Sequence, residues 1–413
     1  MPIVDRDQFM RDGYLILRDV IPACELKPLR ASYEIILERQ KAVWRRERGP
    51  GDPPGGQWDT ARQPRIGRAE QLLDEETGNA VEVWLSESTL GVAEQLLNQP
   101  VAGIQQMMVM CNPTFEYGPA NWHRDVHPID MGPMRSMQES LIENGPNYVQ
   151  WNIPLYDDDV FWVVPGSHTR LNTDEENQQL LKDPCVPLLG GVRVGVKAGD
   201  ALVYSNYLLH WGSNYTAKVL RRTLHGGHTT YPNWEDIRFT RHLSSKSREL
   251  FGSWVDRTAE LKDATESCLR AVLDKDRSAY LSGLEVIHPG AGPAGKFLVT
   301  IWLCKAARHC YLLRGAGSDK LQDEAEGMYR TERSLAQAAH SISLNWGPQF
   351  AERFSKAEAD AIWDGFAELE HHLRTANGKD YVPGYQSGPI LYYLEQMRSK
   401  FDLNGFLSTW HPT

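Results

Sequence analysis

The chain opens with a short apolar run, Tyr14-Leu15-Ile16-Leu17, that reads as a strand, and Pro22 then starts a long amphipathic pattern. Leu26, Leu29, Tyr33, Ile36 and Leu37 recur at intervals that predict a helix with one buried stripe. Gly49, Pro50, Gly51, Pro53, Pro54, Gly55 and Gly56 predict a long loop over 49–68 with no regular element. A second helix is expected over Glu87 to Asn98, with Ser86 as its cap and Leu90, Ala93, Leu96 and Leu97 on one face. From about residue 101 the pattern becomes a series of β-like runs, at 101–111, 148–155, 160–164, 192–196, 201–204 and 222–228. Strands at this spacing without helices between them favour an antiparallel sandwich or barrel. Val192 to Val196 alternates, Ala198-Gly199-Asp200 supplies a turn, and Ala201 to Tyr204 follows, which predicts a hairpin. The insertion at 126–147, with Met131, Met134 and Met137, is too long for a plain connector and is expected to cover a substrate.

Beyond about residue 232 the pattern is helical. Ser355-Lys356-Ala357-Glu358 forms a capping box, Ile362, Phe366, Leu369 and Leu373 share a face, and Asn377-Gly378 closes the helix. Another helix is predicted from Pro389 through Leu391, Leu394 and Met397. The expected fold is an all-β core with helical flanks (α+β), divided into a domain at 1–232 and an all-helical extension at 233–413.

The 413 residues are 41% hydrophobic and 24% charged, which excludes a disordered chain. The longest apolar run, Phe297 to Cys304, is too short to cross a bilayer. The N-terminus carries neither a basic leader nor an apolar stretch, so a cytoplasmic location is expected. Six cysteines without a C-x-x-C pair argue against a zinc knuckle or a redox dithiol. A net charge of −10 argues against a general nucleic-acid binder. The expected partner is a small molecule, anionic if the basic stretch from Arg39 to Arg68 attracts it or apolar if the methionines of 126–147 mould to it, with neither nucleic acid nor membrane, and the helical extension is expected to pack on the barrel or build a homo-oligomer.

The sharpest chemical signal is Trp122-His123-Arg124-Asp125, because an H-x-D on a strand turns both side chains to one side, where one metal can accept both. Alone the motif is weak. The run from Gly199 to His210 delivers a second histidine, and two His plus one carboxylate leave coordination positions open, as in non-haem Fe(II) oxygenases. Arg221 offers the fixed cation that the distal carboxylate of 2-oxoglutarate requires, and Thr223 shares its strand face and adds a hydroxyl. Arg222 faces the other way and reads as a solvent or salt-bridge residue. His127, His168, His225 and His228 read as structural or pocket-lining, and His309-Cys310 and His371-His372 as ordinary residues of the helical tail.

With these residues in place the sequence resembles the phytanoyl-CoA dioxygenase-like Fe(II)/2-oxoglutarate oxygenases. The resembling pieces are Asp12 to Ile21, Trp122-His123-Arg124-Asp125, Val163-Val164-Pro165-Gly166-Ser167-His168 and the stretch from Gly199 to Arg221 with Asn214, in the family's order. The resemblance implies that His123, Asp125 and His210 hold Fe(II), that Arg221 binds the distal carboxylate of 2-oxoglutarate, and that Trp151 lies near this cosubstrate. It implies a double-stranded β-helix and an O2-dependent decarboxylation of 2-oxoglutarate to succinate, coupled to oxidation, usually hydroxylation, of a C–H bond. Halogenating relatives replace the carboxylate ligand with a small residue, and Asp125 argues against that activity. Two segments depart from the family pattern: Trp211-Gly212-Ser213-Asn214 replaces Gly-Ser-Gly-Pro-Asn, and Asp157-Asp158-Asp159 replaces the usual Asn-Gly. The alternative to an enzyme is an inactive barrel that serves binding or assembly through its helical half; the intact ligand set and Arg221 weigh against it.

Overall fold

The computed structural model describes residues 4–126, 133–232, 237–315, 348–375, 383–384 and 401–410. The architecture is mixed α+β, with two antiparallel sheets and many helices. Nine strands are named among the described residues: β1 Tyr14–Leu17, β2 Arg65–Ile66, β3 Gly103–Cys111, β4 Tyr148–Pro154, β5 Asp158–Val163, β6 Val192–Val196, β7 Ala201–Tyr204, β8 His210–Gly212 and β9 Arg222–Thr229. One sheet runs β1-β7-β4-β9-β3-β2 and the other β6-β5-β8.

Strand alternation sorts the large sheet into two faces. Leu15, Val109, Trp151, Ile153, Val203 and Leu224 face away from the small sheet and share a core with Leu29, Ile36 and Leu37 of the helix Ala23–Glu47. Leu202 and Tyr204 face the other way and pack with Phe161, Val163, Val194 and Val196 of the small sheet. The helix expected at Glu87 forms as Leu90–Leu97 and ends at Asn98, whose φ of 52° places it in the left-handed region.

Four expectations change. The loop 49–68 is not without regular structure: it carries the helix Gln57–Thr60, and β2 pairs with β3 through Arg65 and Ile66. β6 and β7 are not a hairpin. β6 pairs with β5, whereas β7 pairs with β1 and β4, so the chain changes sheets at the 198–200 turn. The turn is held from outside, with Gly199 at φ +88° donating to the Pro154 carbonyl and accepting from Ile21 N–H, and with Asp200 accepting from Arg18 and from the backbone of Asp19. The insertion at 126–147 contains the helix Met134–Asn144, with Met134 and Met137 fully buried, while Met131 lies outside the described residues. The capping box at Ser355 is present, but the helix it starts ends at Gly365 and a second follows over Ala367–Thr375. Asn377-Gly378 and the helix expected from Pro389 lie outside the described residues.

The chain divides into two compact units. The first comprises Met1–Arg124, Pro146–His168 and Asn172–Val255 and holds both sheets; the second comprises Asp125–Gly145, Thr169–Leu171 and Asp256–Thr413. In the second unit the helix Pro293–Arg314 packs against Met134–Asn144 and Lys356–Gly365. Glu143 accepts from the backbone N–H groups of Ala294 and Gly295, placing a carboxylate at the positive end of that helix. No helix among the described residues is long and apolar enough to cross a membrane.

Candidate metal centre

His123 and His210 meet across an isolated antiparallel bridge, each backbone N–H donating to the other's carbonyl at 2.9 Å. Alternation then separates polar from apolar. Trp122 and Trp211 stack on one side, with ring centroids 5.4 Å apart, and each indole N–H donates to a backbone carbonyl, of Val186 and Ala120 respectively. His123 and His210 project to the opposite side, with ring centroids 4.4 Å apart. Asp125 shares the side of His123, and donor atoms of His123, Asp125 and His210 all lie within 4.8 Å of one another. Arg124, between the two ligand candidates, is fully buried and donates to the carbonyls of Ser167 and Tyr207 and to Asn172, which pins the H-x-D segment from behind.

The imidazoles are also oriented. Nδ1 of His123 lies 2.7 Å from the Asn121 carbonyl and Nδ1 of His210 lies 2.8 Å from the Leu208 carbonyl. A carbonyl only accepts, so in each neutral ring Nδ1 carries the hydrogen and Nε2 the lone pair. Such backbone partners are the usual means of fixing a metal-binding histidine. Phe161 stacks on His210 at 5.3 Å and Tyr204 meets it edge-on at 5.2 Å, which restrains the ring further.

Arg221, at the entry to β9, is buried. Its Nε donates to Asp158 at 2.7 Å, and the two side chains are 10% and 8% exposed. Thr223 donates its hydroxyl to the same Asp158 oxygen at 2.7 Å, and Val160 N–H donates to the other at 3.2 Å. Burial pushes the Asp158 carboxyl up, but Arg221, Thr223 and Val160 outweigh it, so the group is held below the ordinary carboxylate range. Arg221 Nη1 is buried without a hydrogen-bond partner, a donor that a bound carboxylate would satisfy.

Further along the same face, His225 Nδ1 donates to Asn152 at 2.8 Å, while the Gln150 amide donates to His225 Nε2 at 3.2 Å and to the Tyr204 hydroxyl at 2.8 Å. Met108 and Met110 stand opposite His225 and Thr223 in the β3 register. The inner wall is thus charged at Arg221, amide-lined at its centre and thioether-lined on β3.

The structure therefore brings His123, Asp125 and His210 together and puts Arg221 and Thr223 on one face of β9. It does not put Trp151 there. Trp151 is fully buried in the helix-facing core and meets His228 edge-on at 6.0 Å, whereas its neighbours Gln150 and Asn152 take the inner face. The expectation that Trp151 lies near the cosubstrate is corrected on that ground, since adjacent strand residues point to opposite faces. Arg222 also faces outward and pairs with Glu34 at 2.7 Å. His168 donates to the Met10 carbonyl and His228 to that of Trp84, and burial pushes each down to about 4. His127 lies outside the described residues. Sequence reasoning missed Asp158, Gln150 and Asn152; the one signal was the acidic triplet at a position where the family carries Asn-Gly.

Residues 9–223, just over half the chain, match the phytanoyl-CoA dioxygenase (PhyH) family. The chain belongs to that family. Its members are Fe(II)/2-oxoglutarate-dependent oxygenases, and iron and 2-oxoglutarate are the cofactor and cosubstrate that membership brings. No curated protein matches the chain. Similar solved structures include AviO1 from Streptomyces viridochromogenes Tue57, at 21% identity over 55% of this chain and 96% of that one, with a TM-score of 0.40. EctD from S. alaskensis with 2-oxoglutarate and 5-hydroxyectoine is similar at 19% identity over 57% of this chain and 79% of its own, with a TM-score of 0.41. SnoK, a non-heme alpha ketoglutarate dependent carbocyclase from nogalamycin biosynthesis, is similar at 18% identity over 60% and 90% of the two chains, with a TM-score of 0.39. The donor set suits the cofactor: two imidazoles and a carboxylate, with ligand atoms within 4.8 Å of one another, are the side-chain types that non-haem iron takes.

Proposed function

We propose that the protein oxidises, by hydroxylation, a C–H bond of a small organic molecule, with 2-oxoglutarate converted to succinate and CO2. In this reading His123, Asp125 and His210 hold the iron, and the two sheets are the halves of a double-stranded β-helix. Bound iron supplies the O2-dependent redox chemistry that couples the two oxidations. The chain's own residues bind, orient and exclude. The Asn121 and Leu208 carbonyls hold the imidazoles in the ligating tautomer, and Arg124 fixes the segment that carries His123 and Asp125. Arg221 takes the distal carboxylate of the cosubstrate through the guanidinium edge that Asp158 leaves, and Phe161 and Tyr204 cover His210 against water. Met108 and Met110 on the inner wall favour a substrate with apolar surface.

The observation that carries this reading is the His-Asp-His cluster with both imidazoles turned by backbone carbonyls. In air, with Fe(II) and 2-oxoglutarate, the protein is expected to release succinate faster when its substrate is present, and a screen of host metabolites followed by mass spectrometry would show the gain of one oxygen atom. Succinate release should vanish in His123→Ala. Release that persists there would contradict the ligand assignment, and no release under any condition would favour an inactive barrel.

A further inference from the structure

We propose that Asp158 is a positioning residue for cosubstrate binding, a buried carboxylate that aims the Arg221 guanidinium. The inference rests on the oxygenase reading above and concerns what makes Arg221 a receptor for a carboxylate rather than merely a buried cation.

A guanidinium offers five N–H donors in a rigid fork, and which edge faces a ligand depends on which edge is already held. Asp158 holds Nε at 2.7 Å, and Nη1 is buried with no partner. The side chain is packed over the Tyr215 ring, with Cζ 5.5 Å from its centroid, so the fork is held on its edge and on its face. Asp158 is itself fixed by Thr223 and by Val160 N–H. It sits at a register irregularity, where β5 pairs with β6 at Asp158 and then resumes at Phe161. The flanking carboxylates of the triplet are occupied elsewhere, Asp157 with Lys197 and Asp159 with Arg193, each on exposed side chains. Asp158 alone among the three is buried against Arg221, and only there does the triplet touch the inner face.

This arrangement gives the Thr223 hydroxyl a different role from a direct contact to 2-oxoglutarate, because its hydrogen is committed to Asp158. Thr223 steadies the carboxylate, the carboxylate steadies the guanidinium, and the remaining guanidinium edge meets the ligand. Asparagine at 158 would lose the charge and the longer bond from Val160 but keep an oxygen able to accept from both Arg221 and Thr223. Alanine would leave the guanidinium without its anchor.

The test uses the Fe(II)-loaded protein under anaerobic conditions, with 2-oxoglutarate titrated against the charge-transfer band of the chelated keto acid, and steady-state succinate release measured in parallel. Asp158→Ala is expected to weaken 2-oxoglutarate binding about tenfold, the scale of one charge-assisted hydrogen bond, with kcat at saturating cosubstrate changed by less than about threefold. Asp158→Asn should bind within about threefold of the wild type, because its amide oxygen preserves the aim. In an Arg221→Ala background the Asp158→Ala change should add no further loss, since a positioning residue acts only through the group it positions. Far-UV circular dichroism confirms that each variant is folded. Wild-type affinity in Asp158→Ala, an equal loss in Asp158→Asn, or a full additional loss on top of Arg221→Ala would each overturn the inference while leaving the oxygenase reading intact. No band in the wild-type protein, or unchanged affinity in Arg221→Ala, would overturn the cosubstrate reading and the inference with it.

Discussion

Replacing Arg221 with methionine removes the cation from a buried pair while keeping most of the side-chain volume. The carboxylate left behind is 8% exposed and retains only the Thr223 hydroxyl and the Val160 N–H. Breaking a buried pair from one side costs about 3–5 kcal/mol, because the surviving charge has no compensation. The loss should also depend on pH in a direction opposite to that of the wild-type pair. In the wild type Asp158 is held below its ordinary range, so its contribution to stability is present above the unfolded carboxylate value and is lost as pH falls through the lower folded value. Without Arg221, burial is unopposed by a cation and the folded carboxyl rises above its unfolded value. The folded variant then binds the proton more tightly than the unfolded chain, so the variant loses stability as pH rises. Urea unfolding followed by tryptophan fluorescence at about pH 5 and about pH 7.5 should therefore show a larger deficit at the higher pH. Adding Asp158→Asn to Arg221→Met should recover much of the deficit, because the orphaned charge is gone. A single variant within about 1 kcal/mol of wild type, or a deficit equal at both pH values, would refute the reasoning.

Three further outcomes follow from particular contacts. Trp151→Phe should leave the KM for 2-oxoglutarate within about twofold, since the indole lies in the core on the other face of the sheet and its N–H is buried without a partner; a large KM rise would restore it to the pocket. Gly226→Ala should destabilise by about 2 kcal/mol or more, because its Cβ would lie 2.1 Å from the Gln106 carbonyl oxygen and 2.9 Å from the Trp84 ring, and a melting temperature equal to wild type would contradict that packing. His228 is pushed down to about 4 by burial, so between the ordinary histidine value and about 4 the unfolded chain binds a proton that the native state refuses, and stability falls as pH falls through that window. His228→Gln should flatten the dependence of the melting temperature on pH across it, and an unchanged slope would count against the assignment.

The His123, Asp125 and His210 cluster was legible because H-x-D is a local pattern and because the distal histidine and Arg221 follow it in a fixed order. The two faces of β4 and β9 were not legible at the level of single residues. Trp151 and Gln150 are adjacent in sequence, and only the register with β7 and β9 decides which one faces the small sheet. The supposed hairpin failed for a related reason: alternation identifies strands but not their partners, and the contacts that divert the chain at Gly199 come from Ile21 and Pro154, far away in sequence. Asp158 was hidden because a run of three acidic residues ordinarily marks a solvated turn. Its burial depends on the irregular pairing of β5 with β6 and on a cation more than sixty residues away, Asp158 to Arg221 being separated by 63 positions. The glycine- and proline-rich loop concealed β2 because a two-residue strand has no periodicity to read.

The central claim is that His123, Asp125 and His210 together bind one ferrous ion. Anaerobic crystallisation with Fe(II) and 2-oxoglutarate, with anomalous diffraction recorded at the iron edge, tests it most directly. A single anomalous peak bonded to Nε2 of both histidines and to the Asp125 carboxylate, with the distal carboxylate of 2-oxoglutarate on Arg221, is the predicted result. A peak on other side chains, or a ligand-loaded crystal in which those three groups bind no metal, would contradict it.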